Sequence, residues 1–269
     1  KDIETIVTEL GIFYQMDFSE ICEEGTYVLK YGELITKEFL ISDNSYDESI
    51  WKSMNFLRLL RCGEDIAGVH SACHLNCRSM HPNGSSVPNF GGWHDAGDVS
   101  QFEIPTAEMA HAILDLALAV KENNSLLYER LIEEARVGIN WLLRTSFGDG
   151  MRALAITYSI WRKNVLSPDN KTVYSNVAEN GPFENFCASA ALAKAYLVYK
   201  EEDNVFADWC LRSAKEDFEF VNSLPGNKII LKGNHDYWWT TTKKMNEFLK
   251  KNNYENINFL YNNAYDLGE

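Results

Sequence analysis

The chain has 269 residues, of which 39 are acidic and 25 basic, so its formal net charge is −14. A surface this acidic argues against nucleic acids and anionic membranes as partners, because both are bound through basic faces. The apolar fraction of 45% is that of an ordinary globular protein, and no apolar run is long enough to cross a bilayer.

Short β-rich stretches separated by glycine predict strands in the first part of the chain, up to residue 43. The clearest are residues 25–31 and 37–41, with Gly32 between them. Apolar residues then recur at helical spacing over residues 47–60, which predicts the first helix.

The segment 61–102 is irregular and rich in Gly, Pro, Asn, Cys and His. A loop of this length inside a compact domain is usually functional. Four amphipathic helices are predicted after it, the first with Thr106 as its N-cap. They cover residues 106–122, 126–145, 184–200 and 204–222. Paired helices in series are typical of an α/α toroid or a helical bundle, so the fold class is predicted to be mainly α.

The last section of the chain changes character. A turn at 224–226, an apolar strand at 228–231, a loop at 233–236 and a helix at 240–251 follow one another. Strand–loop–helix order is typical of α/β proteins, so a short α/β segment is predicted to follow the helical part.

Asp95 and Asp98 stand three residues apart, with only Ala96 and Gly97 between them. Inverting hydrolysis of a glycosidic bond needs a carboxylate that deprotonates water on one face of the sugar. It also needs a carboxylic acid on the other face, about 6.5–9.5 Å away. Two close carboxylates can hold one water, and their repulsion keeps at least one of them a usable base. An isolated Asp-x-x-Asp is equally explained by loop or N-cap residues.

A longer motif surrounds this pair. Residues 91–98, Gly-Gly-Trp-His-Asp-Ala-Gly-Asp, precede a polar stretch and a long apolar helix. The segment resembles the signature of glycoside hydrolase family 9, the cellulase type. The resemblance implies an endoglucanase-type enzyme that hydrolyses β-1,4-glucosidic bonds with inversion, with Asp98 as catalytic base and Asp95 orienting the water. It also implies a β-glucan or cello-oligosaccharide substrate and a secreted location.

The resemblance extends along residues 1–215. Residues 1–43 look like the last strands of a preceding immunoglobulin-like domain, and residues 44–215 look like the N-terminal part of an (α/α)6 barrel. Residues 216–269 form a third part of different character. The family's general acid is a Glu near the end of the barrel, and the chain has room for about half of the six helix pairs. We expect the chain as written to lack that Glu and to be inactive on β-1,4-glucans.

Cysteine usage points to a metal site. Three of the six cysteines lie between Cys62 and Cys77, close to several histidines, which favours metal binding over disulfides. Family members with an immunoglobulin-like domain bind zinc through a similar set, and the resemblance carries this role to four residues: Cys62, Cys73, His74 and His94. The site would be structural, because protein atoms fill all four positions. Two alternatives stay open, with Cys77 as a substitute ligand or with the cysteines as small buried apolar side chains. Calcium is a second ion that the resemblance allows.

The C-terminal part contains a second resemblance. Gly233-Asn234-His235-Asp236 after a short strand is similar to a signature of calcineurin-like metallophosphoesterases, over roughly residues 216–265. The resemblance implies that Asn234 is a metal ligand and that His235 and Asp236 act on a phosphate ester. A two-metal site also needs an upstream Asp-x-His, a Gly-Asp-x-x-Asp and later histidines, and the sequence contains none of these motifs.

We therefore expect no phosphoesterase activity and interpret the chain as a junction of two truncated genes near residues 214–220. A metallophosphoesterase and an inactive fusion fragment are the two alternative interpretations of function.

Overall fold

The computed structural model describes residues 4–75, 77–95, 100–156, 181–232 and 240–261. The chain divides into two compact units, Lys1–Ser53 and Met54–Glu269. The first unit extends past the predicted boundary at residue 43. The second unit holds the helices and the C-terminal α/β segment together.

The first unit is built from short antiparallel pairs of strands. β1 pairs with β2, β3 with β6, and β4 with β5. Their bounds are β1 (Glu4–Thr8), β2 (Gly11–Gln15), β3 (Gly25–Tyr27), β4 (Lys30–Tyr31), β5 (Leu34–Ile35) and β6 (Phe39–Ile41). Gly32, with φ +58°, allows the tight turn between β4 and β5. The strands predicted around residues 25–41 are therefore present, but they are shorter and more numerous than the sequence predicts.

Five helices follow, and their bounds are α1 (Asp47–Leu59), α2 (Glu103–Val120), α3 (Ser125–Arg144), α4 (Pro182–Tyr199) and α5 (Asn204–Ser223). All five are predicted helices. Asn124 and Asp203 cap α3 and α5 by accepting a hydrogen bond from the backbone N–H three residues ahead. None of the described helices is long and apolar enough to cross a membrane.

The prediction of Thr106 as an N-cap is wrong. α2 begins at Glu103 and its N-cap is Phe102. The hydroxyl of Thr106 is buried inside the first turn and donates to the Phe102 carbonyl over 2.8 Å. A threonine satisfies its hydroxyl in this way within a helix as readily as at a cap, so its presence alone does not fix the helix start.

The helices form two hairpins, α2–α3 and α4–α5, each closed by a short connection. α2 and α4 also pack on each other, and both bury alanines completely, among them Ala110 and Ala117 in α2 and Ala191 and Ala195 in α4. Small side chains let two helix axes approach closely. α2 and α4 therefore make the inner layer of this unit, and α3 and α5 make the outer layer.

Four short strands lie in the segments that connect the helices. β7 (Arg78–Met80) and β8 (Ser86–Pro88) form a hairpin inside the segment that the sequence predicts to be irregular, and β9 (Gln101–Phe102) pairs with β10 (Ala155–Ile156). The β9–β10 pair joins the start of α2 to the segment after α3. This connection positions the loop that precedes α2.

The C-terminal segment is a parallel β-α-β unit. β11 (Lys228–Leu231) pairs in parallel with β12 (Ile257–Leu260), and α6 (Thr242–Lys251) lies between them in sequence. The predicted strand and helix are both confirmed. Phe218 of α5 packs edge-on against Tyr254, with ring centroids 5.0 Å apart. The β-α-β unit is thus attached directly to the end of the second helical hairpin.

Candidate active site and metal centre

The segment after α1 pairs with the segment that carries the glycine-rich motif. The N–H of Cys62 donates to the Gly92 carbonyl over 2.9 Å, and the N–H of His94 donates to the Leu60 carbonyl over 2.8 Å. This short antiparallel bridge brings Cys62 and His94 together, although they are far apart in sequence. Asp95 follows directly and starts the loop that leads to α2.

Two consecutive glycines let this loop lie against α3. Gly91 and Gly92 have φ values of +111° and +67°, a region that disfavours other residues. A Cβ on Gly91 would lie 2.6 Å from Nη1 of Arg144, and a Cβ on Gly92 would lie 3.1 Å from Cγ of Trp141. Both the backbone conformation and the close approach to α3 therefore require glycine here.

Trp93 anchors the loop to α3. Its indole N–H donates to Oε1 of Glu134 over 2.8 Å, and its ring lies so close to Gly138 that an added Cβ would be 2.4 Å away. Glu134 also accepts from the guanidinium of Arg61 over 3.1 and 2.7 Å. Glu134 is not among the residues predicted from the sequence, although an acidic residue on the apolar face of a predicted helix is a usable signal.

Four buried side chains converge beside this anchor: Cys62, Cys73, His74 and His94. Their ligand atoms all lie within 4.8 Å of one another. The two Sγ atoms are 3.9 Å apart, Cys62 Sγ lies 3.3 Å from His74 Nδ1, and Cys73 Sγ lies 3.4 Å from His94 Nε2. Ligand atoms of a tetrahedral zinc ion lie about 3.3–3.8 Å apart when bond lengths are about 2.0–2.3 Å. The donor set and its spacing therefore fit a zinc ion.

The pKa values of the two thiols are shifted in opposite directions. Burial raises the pKa of Cys62, and the hydrogen bond from Cys62 lowers the pKa of Cys73, which His74 and His94 lower further. A thiolate buried among hydrogen-bond donors is the form that a metal ion binds. His74 has a left-handed φ of 57°, which costs free energy and is retained where the surrounding structure requires it.

Cys77 and His81 do not join this cluster. Cys77 is buried, and burial raises its pKa to about 12. Its sulfur is not among the converging ligand atoms, so the structure gives no support to Cys77 as a substitute ligand. His81 instead contacts Asp149, with Nε2 and Oδ2 3.0 Å apart. All six cysteines are free.

Asp95 is exposed at the end of the anchored segment. Its N–H donates to the Ser100 carbonyl over 2.7 Å, so both ends of the loop are held together. A cavity of about 130 Å³ lies beside it, with Trp93, Phe102 and Met109 among the apolar residues of its wall. Asp98 lies outside the described residues, as do Asn234, His235 and Asp236.

Comparison with known proteins identifies the family. The profile of Glycosyl hydrolase family 9 matches residues 46–253, about three quarters of the chain. The chain belongs to this family. The match includes the segment between α1 and α2 that carries Asp95 and the cysteine–histidine cluster. It also extends beyond the predicted junction near residues 214–220.

Two curated relatives and one solved structure show how much of a family 9 protein is present. Endoglucanase D of Acetivibrio thermocellus is 24% identical over 245 residues, which cover 80% of this chain and 38% of the relative. Cellodextrinase of Butyrivibrio fibrisolvens is 25% identical over 245 residues, covering 81% and 43%. The structure of AaCel9A in complex with cellobiose-like isofagomine superposes with a TM-score of 0.58 at 25% identity, covering 79% and 43%. The chain thus spans about two fifths of the length of the curated relatives it matches.

Proposed function

We propose that this chain supplies the general base and the water-orienting carboxylate of a family 9 active site. Such a site hydrolyses β-1,4-glucosidic bonds in cello-oligosaccharides or β-glucans with inversion. The observation that carries the proposal is the anchored loop: Asp95 is exposed at its start, beside a cavity, within the segment that matches the family. The names of the two curated relatives, an endoglucanase and a cellodextrinase, support the substrate class.

In the proposed mechanism, Asp98 removes a proton from a water molecule that Asp95 orients, and the water attacks the anomeric carbon in a single displacement. The loop must hold both carboxylates in register with the sugar, because misplacing a catalytic group by about 1 Å costs orders of magnitude in rate. Two features support such rigidity: the hydrogen bond from Trp93 to Glu134, and the bond from the Asp95 N–H to Ser100. The family resemblance assigns the general acid to a Glu late in the barrel, so we assign no acid within this chain.

We further propose that Cys62, Cys73, His74 and His94 hold a structural zinc ion. When bound, zinc would neutralise the two thiolates and add its binding free energy to the folding of the loop. The proposal is supported by the four buried ligand atoms and their spacing. Because His94 immediately precedes Asp95, its side chain would tie the start of the catalytic loop to the segment after α1.

The domain organisation also remains a proposal. We propose that residues 1–43 are the last strands of an immunoglobulin-like domain and that residues 44–215 are part of an (α/α)6 barrel. The two layers of helical hairpins support the barrel. For residues 216–269 we propose a metallophosphoesterase-like fragment, supported by the parallel β-α-β arrangement of β11, α6 and β12.

That fragment is expected to be inactive, since one ligand residue does not build a two-metal site. Manganese-stimulated hydrolysis of p-nitrophenyl phosphate that is lost in His235→Ala would overturn this expectation.

The proposed glycosidase chemistry is tested with two substrates that differ in their need for an acid. In 2,4-dinitrophenyl β-cellobioside the leaving group departs without protonation, so hydrolysis needs only the base and the water. Cellohexaose needs the acid as well. We expect release of dinitrophenol above the uncatalysed rate, with α-cellobiose as the first product by proton NMR, and no cleavage of cellohexaose. Absence of release, or β-cellobiose as the first product, would refute the proposed mechanism.

A further inference from the structure

A groove runs between the outer helices α3 and α5, away from the cavity beside Asp95. Its volume is about 480 Å³, within the range of roughly 300–1,000 Å³ that is usual for small-molecule sites. α5 contributes Trp209, Arg212 and Glu216, which lie three or four residues apart on one face of the helix, and α3 contributes Asn140 and Arg144. None of the described residues lines both this groove and the cavity beside Asp95.

Trp209 gives the groove an open aromatic face. Its side chain is 60% exposed and makes no ring contact or side-chain hydrogen bond with any other described residue. A large exposed tryptophan at a groove is costly to leave in water, and in binding sites tryptophan contributes a rigid, amphipathic surface. The flat apolar face of a β-linked glucose ring matches such a surface.

The polar groups around Trp209 suit hydroxyl groups better than a charged ligand. Arg212 is paired with Glu216, with Nε and Oε1 3.1 Å apart, and Arg144 donates to the Phe90 carbonyl while lying over its ring. Arg212 is therefore neutralised by a carboxylate, whereas Arg144 is held in place by uncharged groups. The groove offers guanidinium donors and a carboxylate acceptor rather than a cluster of unpaired positive charges that would select an anion. Together with the exposed Asn140, these side chains offer both donors and acceptors, and a sugar hydroxyl needs both.

Contacts of the turn after α3 brace the rim of the groove. The turn after α3 is closed by a hydrogen bond from the Phe147 N–H to the Met151 carbonyl, over 3.0 Å. The ring of Phe147 packs edge-on against His81, with centroids 5.1 Å apart, and His81 in turn contacts Asp149. A rigid rim lowers the conformational entropy that the protein loses when a ligand binds.

We infer that the groove between α3 and α5 is a second oligosaccharide-binding site, in which a β-glucan segment stacks on Trp209 and hydrogen-bonds to Asn140, Arg212 and Glu216. The choice of β-glucan rests on the proposed function. The site lies on the outer layer of helices, so a chain held there is bound without entering the loop that carries Asp95. Its role is to hold the chain on a polymeric β-glucan.

The test is affinity electrophoresis of the full chain in native gels that contain barley β-glucan. The wild type is expected to be retarded. Trp209→Ala should weaken the association constant by about tenfold, the loss typical of truncating a tryptophan anchor. Phe248→Ala is the matched control, because Phe248 is equally exposed, at 61%, but lies on α6 outside the groove. Arg212→Ala provides a second, independent change at the groove should Trp209→Ala fail to fold.

Three outcomes would overturn the inference: no retardation of the wild type, equal retardation of the wild type and the folded groove variants, or retardation by polygalacturonate but not by β-glucan. An Asp98→Asn variant in the same gels separates this inference from the proposed function. Retardation that persists in Asp98→Asn and is lost in Trp209→Ala supports the groove whether or not the chain hydrolyses glycosides.

Discussion

Arg152 and Asp217 form a completely buried, bidentate ion pair that joins the segment after α3 to α5. Nε of Arg152 lies 2.6 Å from Oδ1 of Asp217, and Nη2 lies 2.7 Å from Oδ2. The guanidinium also donates to the Leu142 carbonyl at the end of α3, and Asn185 of α4 donates to Oδ1 of Asp217. One network of polar groups thus links three of the helices.

Removing one partner of this pair should destabilise the fold strongly. Asp217→Ala leaves the Arg152 guanidinium buried without its counterion, which typically costs about 3–5 kcal/mol. Glu133→Ala is the control, because it breaks the exposed pair between Arg130 and Glu133 and should change the free energy of unfolding by less than about 1 kcal/mol. Urea unfolding followed by circular dichroism measures both changes. Equal effects of the two substitutions would show that the buried pair contributes no more than a surface pair.

Glu103 makes the stability of the fold depend on pH. Its side chain is 1% exposed, and neither carboxyl oxygen has a hydrogen-bond partner among the described residues. Burial raises its pKa from the ordinary value of 4.5 to about 8, an effect that Arg152 opposes and Asp217 reinforces. The folded state therefore holds the proton more tightly than the unfolded state.

The sign of the effect follows from this difference. The contribution of protonated Glu103 is fully present below about pH 4.5 and is lost as the pH rises through 8, by up to about 1.4 kcal/mol per pH unit in that window. Glu103→Gln keeps the shape but stays neutral, so it should be the more stable protein at pH 8. Unfolding midpoints measured from about pH 5 to pH 8.5 should fall less steeply in the variant. Parallel pH profiles would contradict the raised pKa.

The proposed zinc site predicts a measurable metal content. Purified protein should contain about one zinc ion per chain, and Cys73→Ser or His94→Ala should release it and lower the melting temperature, because metal binding contributes to folding. Cys22→Ser is the matched control, since Cys22 is exposed and far in sequence from the cluster. Elemental analysis of the four proteins decides the question. Zinc retained in both site variants would contradict the proposed site and favour the alternative that the cysteines are buried apolar side chains.

The helix bounds were predicted well where the sequence signal lies within the helix itself. Apolar spacing alone predicted α3 and α5 to within two residues of their observed ends, and the structure shows Asn124 and Asp203 as their N-caps. The start of α2 was wrong because a threonine can satisfy its hydroxyl inside a helix.

Contacts between distant residues could not be predicted in the same way. Trp93 and Glu134 are 41 residues apart, and Arg152 and Asp217 are 65 apart. Neither periodicity nor capping reports which distant side chains share a site. The cysteine–histidine set was predicted only through a family resemblance, and the structure brings those four residues together. The groove at Trp209 could not be predicted, because exposed and buried tryptophans look alike in sequence.

The central claim is that Asp98 is the base of a family 9 hydrolytic site, and the most direct measurement is the rate of 2,4-dinitrophenyl β-cellobioside hydrolysis by the wild type and by Asp98→Asn. Loss of a general base typically slows catalysis by about 10²–10⁴-fold, so the variant should be slower by a factor in this range. Glu255→Gln, which changes an exposed carboxylate outside the site, should leave the rate unchanged. Equal rates for the wild type and Asp98→Asn would contradict the account.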